Sequence, residues 1–160
     1  MAIKQLKEVN RHPGLAVDPT FLLSGNIIGG QPVVLASAST LKPYAGTGVP
    51  FGLAIESTEQ LSAGTGNNAG SGYDYTGYAR GGKVSAFMDG GIFEITNDGR
   101  GYAYVSGDTY TLNAKVYVNN SGLITSDAGN STAGYNPEVG IVMAVEGAAP
   151  VTKLTIKATI

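Results

Sequence analysis

The chain has 160 residues, of which 42% are hydrophobic; this suits one domain, whereas two domains would each have a thin core. Charged residues make up 14% of the chain, against a usual fraction of about 25%, and the net charge of -2 provides no positive field for general nucleic-acid binding. Cys is absent, which excludes disulfides, thiolate metal sites and a thiol nucleophile.

The first segment, residues 1–19, is predicted to be a flexible N-terminal arm. It is mixed and basic and contains Pro13, Gly14 and Pro19, and such a segment is poorly ordered unless something holds it. The pattern over Ile3 to Val9 is compatible with a short helix. No apolar run follows the basic residues, so no secretory signal is expected, and no apolar stretch is long enough to cross a bilayer.

Residues 20–160 are predicted to form a single β-domain. Short apolar runs and alternating patterns, bounded by turn residues, indicate its strands. In chain order the predicted strands are Pro32–Ala36, Phe51–Ile55, Lys83–Met88, Gly91–Thr96, Ala114–Val118, Leu123–Thr125, Val139–Val145 and Val151–Ile160. The first two are continuous apolar runs, and we expect both to be buried on both faces.

Two of these strands alternate clearly enough to predict which face points inward. In the fourth strand, Phe93 and Ile95 oppose Ile92, Glu94 and Thr96. In the last strand, one face is formed by Val151, Lys153, Thr155, Lys157 and Thr159, and the other by Leu154, Ile156 and Ala158.

Turn chemistry supports the same architecture. Gly81-Gly82, Asn97–Gly99 and Asn119–Gly122 stand between apolar runs, as hairpin connections require. The low-complexity segment Ser62–Gly72 is expected to be an exposed loop, and Ser57–Ser62 is compatible with a single helical turn. Because no long amphipathic helix is visible, the predicted fold class is all-β: a small barrel or sandwich of short antiparallel strands with a flexible N-terminal arm.

Candidates for catalysis are few. The single histidine, His12, directly precedes Pro13 in the arm, whereas a Ser-His-Asp triad needs its histidine in an ordered pocket. One His and no Cys cannot form a zinc site.

A glycosidase would need two carboxylates at a defined separation. The candidates are Glu56, Glu59, Asp74, Asp89, Glu94, Asp98, Asp108, Asp127, Glu138 and Glu146. Most adjoin residues typical of turns, and Trp is absent, so we expect no enzyme, no metal and no cofactor.

Tyrosines cluster in two places. The first cluster is Tyr73, Tyr75 and Tyr78, and the second is Tyr102, Tyr104 and Tyr110. Tyr is enriched at protein interfaces because it offers contact area and a hydrogen bond at low entropic cost. It is also a good strand former that pairs across a sheet face. Both interpretations are open, and pairing within a sheet is the commoner role.

The order of short motifs along the chain resembles one known family. The motifs are FGLAIE at Phe51–Glu56, KVSAFMDGGIFEI at Lys83–Ile95, SGD at Ser106–Asp108, KVYVNNSGLIT at Lys115–Thr125, VGIV at Val139–Val142 and LTIK at Leu154–Lys157. This order resembles the small β-barrel decoration (cement) proteins of tailed-bacteriophage capsids. The resemblance covers roughly residues 31–160 and leaves out the segment before Thr20.

The resemblance implies a non-enzymatic structural protein that binds the outer surface of a phage capsid. Such a protein stabilises the shell by bridging neighbouring major capsid protein subunits, often as a homotrimer. It implies a virion location after synthesis in the host cytoplasm, and no catalytic residues. The net charge and the short apolar stretches separately lead us to expect neither nucleic acid nor membrane as a partner.

The arm and the first tyrosine cluster are the expected partner-binding regions. The basic arm residues suit an acidic shell surface, and the arm is expected to become ordered there, lending a strand to an exposed edge of a shell subunit. The predicted partner-binding residues are Lys4, Lys7, Arg11, His12, Tyr73, Tyr75 and Tyr78. The alternatives are a carbohydrate- or receptor-binding β-module of a phage fibre or tail, with an exposed Tyr cleft, and a small hydrolase with an acidic pair.

Overall fold

The structure is a computed structural model that describes residues 6–10, 17–23, 27–38, 40–54, 83–87, 91–96 and 101–160. Over these residues the chain forms thirteen β-strands and no helix, so the predicted all-β fold class is confirmed. Every strand predicted from the sequence is present, with ends that differ from the prediction by a few residues.

The strands are short, and most are bounded by turn residues. In chain order they are β1 (Leu6–Asn10), β2 (Val17–Leu23), β3 (Pro32–Ser37), β4 (Thr40–Pro43), β5 (Gly52–Ala54), β6 (Lys83–Phe87), β7 (Gly91–Thr96), β8 (Lys115–Val118), β9 (Ile124–Thr125), β10 (Gly129–Asn130), β11 (Gly134–Tyr135), β12 (Glu138–Glu146) and β13 (Lys153–Ala158).

The strands form two main sheets of different architecture. A six-stranded sheet has the order β1-β7-β13-β12-β8-β9, and all of its pairings are antiparallel. Five further strands close into a barrel with the order β2-β4-β3-β5-β6, in which β2 and β4 run parallel. Strands β10 and β11 form a separate two-stranded hairpin. Of the two predicted architectures, barrel or sandwich, a closed barrel is present, together with a second sheet that packs against it. The parallel pairing of β2 and β4 departs from the antiparallel strands predicted.

One hydrophobic core joins the barrel to the six-stranded sheet. Val34, Tyr44 and Leu53 of the barrel region belong to the same buried cluster as Phe93 and Ile95 of β7. A smaller cluster lies on the opposite face of β3 and β5 and consists of Ile27, Val33, Leu41 and Ala54. Because consecutive residues of a strand point to opposite faces, β3 and β5 contribute to both clusters at once.

The prediction that β3 is buried on both faces is correct only for its first half. Pro32, Val33 and Val34 are buried, whereas Leu35 is 44% exposed and the strand stays exposed through Ser37. The reason is the pairing, since β3 pairs with β5 only at Pro32 and Val33 and continues beyond them with β4 alone. The predicted burial of β5 is confirmed over Gly52–Ala54.

The inward and outward faces of the six-stranded sheet follow the predicted alternation. Phe93 and Ile95 are fully buried, and their neighbours on β7 are half-exposed on the outer face. In β13, Leu154 and Ile156 are fully buried while Lys157 is exposed. The hydrophobic period of two therefore predicts these faces with one exception in β13: Thr155 is only 8% exposed, although it lies on the face that also contains Lys153 and Lys157.

The N-terminal segment contributes strands to both sheets. Strand β1 runs antiparallel to β7, from Leu6 opposite Ile95 to Asn10 opposite Ile92. The short helix considered for Ile3 to Val9 is therefore wrong over residues 6–9, because pairing with a strand distant in sequence overrides a weak local preference. Strand β2 begins at Val17, two residues before the predicted end of the arm. The flexibility of the arm stays a prediction, since residues 1–5 and 11–16 lie outside the described residues.

Of the predicted turns, only Asn119–Gly122 lies within the described residues, and it is confirmed. The Gly122 N–H donates to Asn119 O at 2.9 Å, and the Asn119 side chain accepts the N–H groups of Ser121 and Leu123. Gly122 has φ +76°, and a Cβ there would overlap the carbonyl oxygen of Tyr44. The turn is thus packed tightly against the barrel region. The remaining segments, Ser57–Ser62, Ser62–Gly72, Gly81-Gly82 and Asn97–Gly99, lie outside the described residues.

Candidate functional site

The predicted partner-binding residues fall almost entirely outside the described part of the chain. Lys4, Arg11, His12, Tyr73, Tyr75 and Tyr78 lie outside it. Lys7 is described through its backbone, in β1, where its Cα lies directly opposite that of Glu94 in β7. The two residues therefore form a directly opposed pair in the antiparallel ladder between β1 and β7.

The second tyrosine cluster belongs to the core. Tyr104 and Tyr110 are 1% and 8% exposed, with rings edge to face at a centroid distance of 6.3 Å, and Tyr102 packs beside Tyr104 at 5.1 Å. The Tyr104 hydroxyl donates to Val151 O at 3.3 Å, and burial raises the pKa of both buried phenols. The cluster therefore packs in the core, but the expected pairing across a sheet face is not what holds it there, because all three tyrosines lie outside the thirteen strands.

Two of the carboxylate candidates, Glu94 and Glu146, lie on either side of one lysine. The Lys153 Nζ is 3.6 Å from Glu94 Oε2 and 2.7 Å from Glu146 Oε2. The three side chains come from the neighbouring strands β7, β13 and β12 and line an open cleft of about 250 Å³ together with Ala144, Val145 and Thr155. The hydrogen bond and charge of Glu146 raise the pKa of Lys153.

The chemistry of this cleft is that of an ion-pair network. The general acid of a glycosidase is kept protonated by apolar surroundings, whereas both carboxylates here touch an ammonium group, and the side chain of Glu146 is 64% exposed. A second pair, Lys115 Nζ to Glu138 Oε2 at 2.7 Å, links β8 to β12 on the same sheet. These contacts connect neighbouring strands across the outer face.

Asp108 and Asp127 have structural partners. The Asp108 Oδ2 accepts the hydroxyl of Thr125 at 2.6 Å and the N–H of Ser126 at 2.9 Å, which ties residues 105–110 to β9. The Asp127 side chain accepts the N–H of Gly129 two residues on, an Asx turn that begins the β10–β11 hairpin. The other candidates, Glu56, Glu59, Asp74, Asp89 and Asp98, lie outside the described residues.

The β10–β11 hairpin presents a tyrosine that sequence reasoning missed. Tyr135 is 74% exposed, on a hairpin where Asn130 Oδ1 accepts the N–H groups of Thr132 and Ala133. The base of the hairpin is closed by Asn136, which bonds to the carbonyls of Asp127 and Ala128. A fixed backbone with an outward aromatic ring is suited to recognition. The available sequence signal was the clustered Asp, Asn and Gly around residues 127–134.

A second exposed feature is apolar and results from a β-bulge. The ladder between β12 and β13 shifts between Val142 and Ala144, so Met143 is the extra residue, 41% exposed. The Asn113 N–H donates to Val142 O at 2.9 Å, and the residue before Asn113, Leu112, is also exposed, at 60%. The sequence predicted a plain strand here, because a bulge leaves the hydrophobic pattern almost unchanged.

The chain matches no protein-family model and no curated protein sequence. In the described ranges, no three acidic or histidine side chains converge in a group able to hold a metal ion. The same ranges contain no helix with the length and apolar character needed to span a membrane.

Proposed function

We propose that this protein is a non-enzymatic structural protein that binds the outer surface of a tailed-phage capsid. It stabilises the shell by bridging neighbouring major capsid protein subunits, and it acts in the virion, as a homotrimer, after synthesis in the host cytoplasm. The motif order over residues 31–160 supports this proposal, and so does the all-β fold that the resemblance implied. The proposal requires no cofactor, nucleic acid or membrane.

The observation that carries the proposal furthest is the core shared by the barrel and the six-stranded sheet. Val34, Tyr44 and Leu53 join both sheets into one packed unit. A protein that bridges shell subunits must transmit force between its contact points, and close-packed interiors have low compressibility. A rigid all-β block with contacts at separate places meets that mechanical requirement.

The arm supplies the proposed electrostatic contact. Lys4, Lys7 and Arg11 concentrate positive charge near the start of a chain whose net charge is -2. An acidic shell surface would attract these side chains, and several copies bound to one shell add their weak contacts through multivalency. Binding should therefore weaken as salt concentration rises.

The test compares two charge-neutralised variants in binding to empty heads of the parent phage that lack this protein. Lys4→Gln/Arg11→Gln removes two positive charges from the arm, and Lys42→Gln/Lys115→Gln removes two from described strands. We expect the arm variant to bind about tenfold more weakly, or worse, because every bound copy loses the contact. Co-sedimentation over a range of salt concentrations measures both affinity and salt dependence.

The control variant has the same net charge as the arm variant, but its arm is unchanged. It should therefore bind like the unmodified protein. Equal weakening of binding in both variants would mean that net charge alone, and not the arm, determines the affinity. Undiminished binding after deletion of residues 1–11 would remove the arm from the mechanism. If the unmodified protein does not bind the heads, or does not raise their thermal stability, the proposed function is wrong.

A carbohydrate- or receptor-binding module is the second candidate, and the exposure of Tyr135 favours it. A tyrosine ring on a fixed hairpin, beside Asn and Asp groups, is suited to stacking on a sugar and hydrogen bonding to it. Glycan-array binding that is lost in Tyr135→Ala and kept in Leu112→Ala would support this candidate. The control residue is also exposed, on a different loop.

A further inference from the structure

Strand β1 has a single neighbour among the described strands. It stands at the end of the six-stranded order and pairs with β7 through Leu6, Lys7, Glu8 and Asn10, with a register shift after Glu8. On its other side, β7 pairs with β13 through six consecutive residues, Gly91–Thr96. Strand β7 therefore remains part of a five-stranded sheet if β1 leaves.

Departure of β1 would open the edge of β7. The backbone groups that now bond to β1 would lose their partners, next to Phe93 and Ile95, which are fully buried. An uncovered edge with unpaired backbone groups is a template for a strand from another chain. The sequence that fits this edge in the present register is that of β1 itself.

Every copy of this chain carries that same strand on a short tether. Six residues separate Asn10 from Val17, so the end of β1 can lie up to about 25 Å from the start of β2. A β1 strand bound to β7 of a neighbouring copy would make the same backbone pairs as it makes with β7 of its own chain. Exchange therefore needs no new contact surface. The net charge of -2 gives little repulsion between copies.

We propose that β1 is exchanged between copies, so that β1 of one copy pairs with β7 of a second copy of this chain. If each copy gives its β1 to the next copy around a ring, the exchange closes a homo-oligomer. A homo-oligomer is the assembly that the proposed function expects, and this inference rests on that proposed function. In the exchanged form, Lys7 of one copy lies opposite Glu94 of the next. The β7 edge is thus the surface that joins the copies.

The test uses the absence of cysteine from the sequence. Lys7→Cys/Glu94→Cys introduces two thiols at directly opposed positions, where Cα atoms of antiparallel strands lie about 4.5–5.5 Å apart, within the range of a disulfide. The purified variant is sized in solution, oxidised, and run on a denaturing gel without reductant. We expect covalent dimers and larger species from the oligomeric fraction, all converted to single chains by reductant.

Two controls separate exchange from random collision. In Lys7→Cys/Lys115→Cys, the second thiol lies on β8, four strands away from β1, and should form no oligomer ladder. In a mixture of the single variants Lys7→Cys and Glu94→Cys, a mixed disulfide forms in high yield only if β1 crosses to another copy.

Three results would overturn the exchange: a protein that stays monomeric at all concentrations, an oligomer that oxidises only to internally linked single chains, or folded protein whose thiols stay unreacted. The last two results leave the proposed function open, because internally linked or unreacted protein can still be tested for binding to phage heads. A lasting monomer would also count against the proposed homotrimer, while binding to heads tests the rest of the proposed function. Conversely, exchanged oligomers that fail to bind heads would count against the proposed function alone.

Discussion

Tyr110 brings a hydroxyl group into the core between two backbone carbonyls. Its oxygen lies 3.0 Å from Val105 O and 3.0 Å from Ile124 O. A buried hydroxyl that donates a hydrogen bond contributes on the order of 1 kcal/mol to stability. A phenolate in the same place would lose its hydration and face carbonyl oxygens, so burial and the nearby charge of Asp108 raise the pKa of Tyr110. Burial also raises the pKa of Tyr104.

These shifts predict a loss of stability at high pH. A phenol whose pKa is higher in the folded chain than in the unfolded chain contributes stability that is complete below about pH 10, the ordinary pKa of Tyr. That stability is lost as the pH rises from there toward the folded pKa. We expect the unfolding free energy, measured with urea at several pH values, to fall above about pH 10 and to fall less steeply in Tyr104→Phe/Tyr110→Phe.

Part of the decline will remain in the double variant, since ion pairing also raises the pKa of Lys115 and Lys153 and acts in the same direction. Tyr135→Phe, at a ring that is 74% exposed and outside the core, is the control and should leave the slope unchanged. Identical slopes in the unmodified protein and in the double variant would contradict the prediction.

Gly122 is a turn position where a methyl group should be strongly destabilising. Its φ of +76° strains an L-residue, and a Cβ would overlap Tyr44 O and approach Gln31 Nε2 to 2.8 Å. We expect Gly122→Ala to cost about 2–4 kcal/mol of unfolding free energy, from strain and overpacking together. Urea denaturation measures this cost.

Substitutions at two other glycines separate the cost of backbone strain from the cost of overpacking. Gly134 has φ +92° with no atom near its would-be Cβ, so Gly134→Ala should cost only the strain, about 1 kcal/mol. Gly107 has open space around it, and Gly107→Ala should be nearly neutral. Equal effects at Gly122 and Gly134 would show that contact with Tyr44 is unimportant.

Among the elements, β9 is short and depends on a loop for support. It is two residues long, and Asp108 holds it through the Thr125 hydroxyl and the Ser126 N–H. The same loop passes beside β9, where Val105 N–H donates to Ile124 O and Ile124 N–H donates to Ala103 O. The edge of the six-stranded sheet is therefore closed by irregular chain.

Removing the Asp108 carboxylate should loosen this edge. Hydrogen bonds to charged groups are worth about 1.5–3 kcal/mol, so Asp108→Ala should lower the unfolding free energy by about that amount. Asp108→Asn keeps an acceptor oxygen and should cost less. Hydrogen exchange of the Ser126 amide, followed alongside urea unfolding, reports the local effect.

Asp127→Ala is the comparison, because Asp127 accepts one bond in an exposed turn. That substitution should cost less than about 1 kcal/mol. A loss at Asp127 as large as that at Asp108 would mean that the number of bonds to the carboxylate does not decide the cost.

At the scale of the whole molecule, Leu53 belongs to the core that joins the two sheets. It is fully buried, and it pairs with β3 and β6 of the barrel while its side chain packs in the cluster that contains Phe93. A cavity here would weaken the barrel and the sheet together. Unfolding should therefore be a single cooperative transition.

We expect Leu53→Ala to cost about 2–5 kcal/mol and to shift that transition without splitting it. Circular dichroism and tyrosine fluorescence should give the same midpoint, since Tyr104 and Tyr110 report on the sheet side. Leu35→Ala, at a position 44% exposed, should cost less than about 1 kcal/mol. Two separate transitions would contradict a shared core.

The strands that could be predicted are those in which the order of apolar and polar residues is compatible with only one secondary structure. The alternation in β7 predicts both of its faces, because that strand buries one side against the core. In β13 it predicts the inward face but not the burial of Thr155 on the other side. The sequence of β1 is also compatible with a short helix, because five residues of mixed polarity carry little periodic signal and the pairing with β7 joins the distant residues 7 and 94. Strands β10 and β11, of two residues each, carry no pattern at all.

Neither the strand order nor the surface could be predicted. The order places β13 between β7 and β12, and the parallel pair of β2 and β4 contrasts with the antiparallel strands expected. Exposed side chains such as Tyr135 and Leu112 have the same residue types as buried ones, so only three-dimensional placement distinguishes them. The predicted binding residues Lys4, His12 and Tyr75 stay predictions.

The inner position of β13 in its sheet has a kinetic consequence. Residues 153–158 follow every other strand in the sequence, yet they bond to β7 on one side and β12 on the other. On a ribosome that adds about 5–20 residues per second, β7 would wait roughly 3 to 11 seconds for this neighbour. During that time the exposed apolar face of β7 can associate with other nascent chains. The rate of translation and the early binding of chaperones should therefore affect the yield of soluble protein more than the stability of the folded protein does.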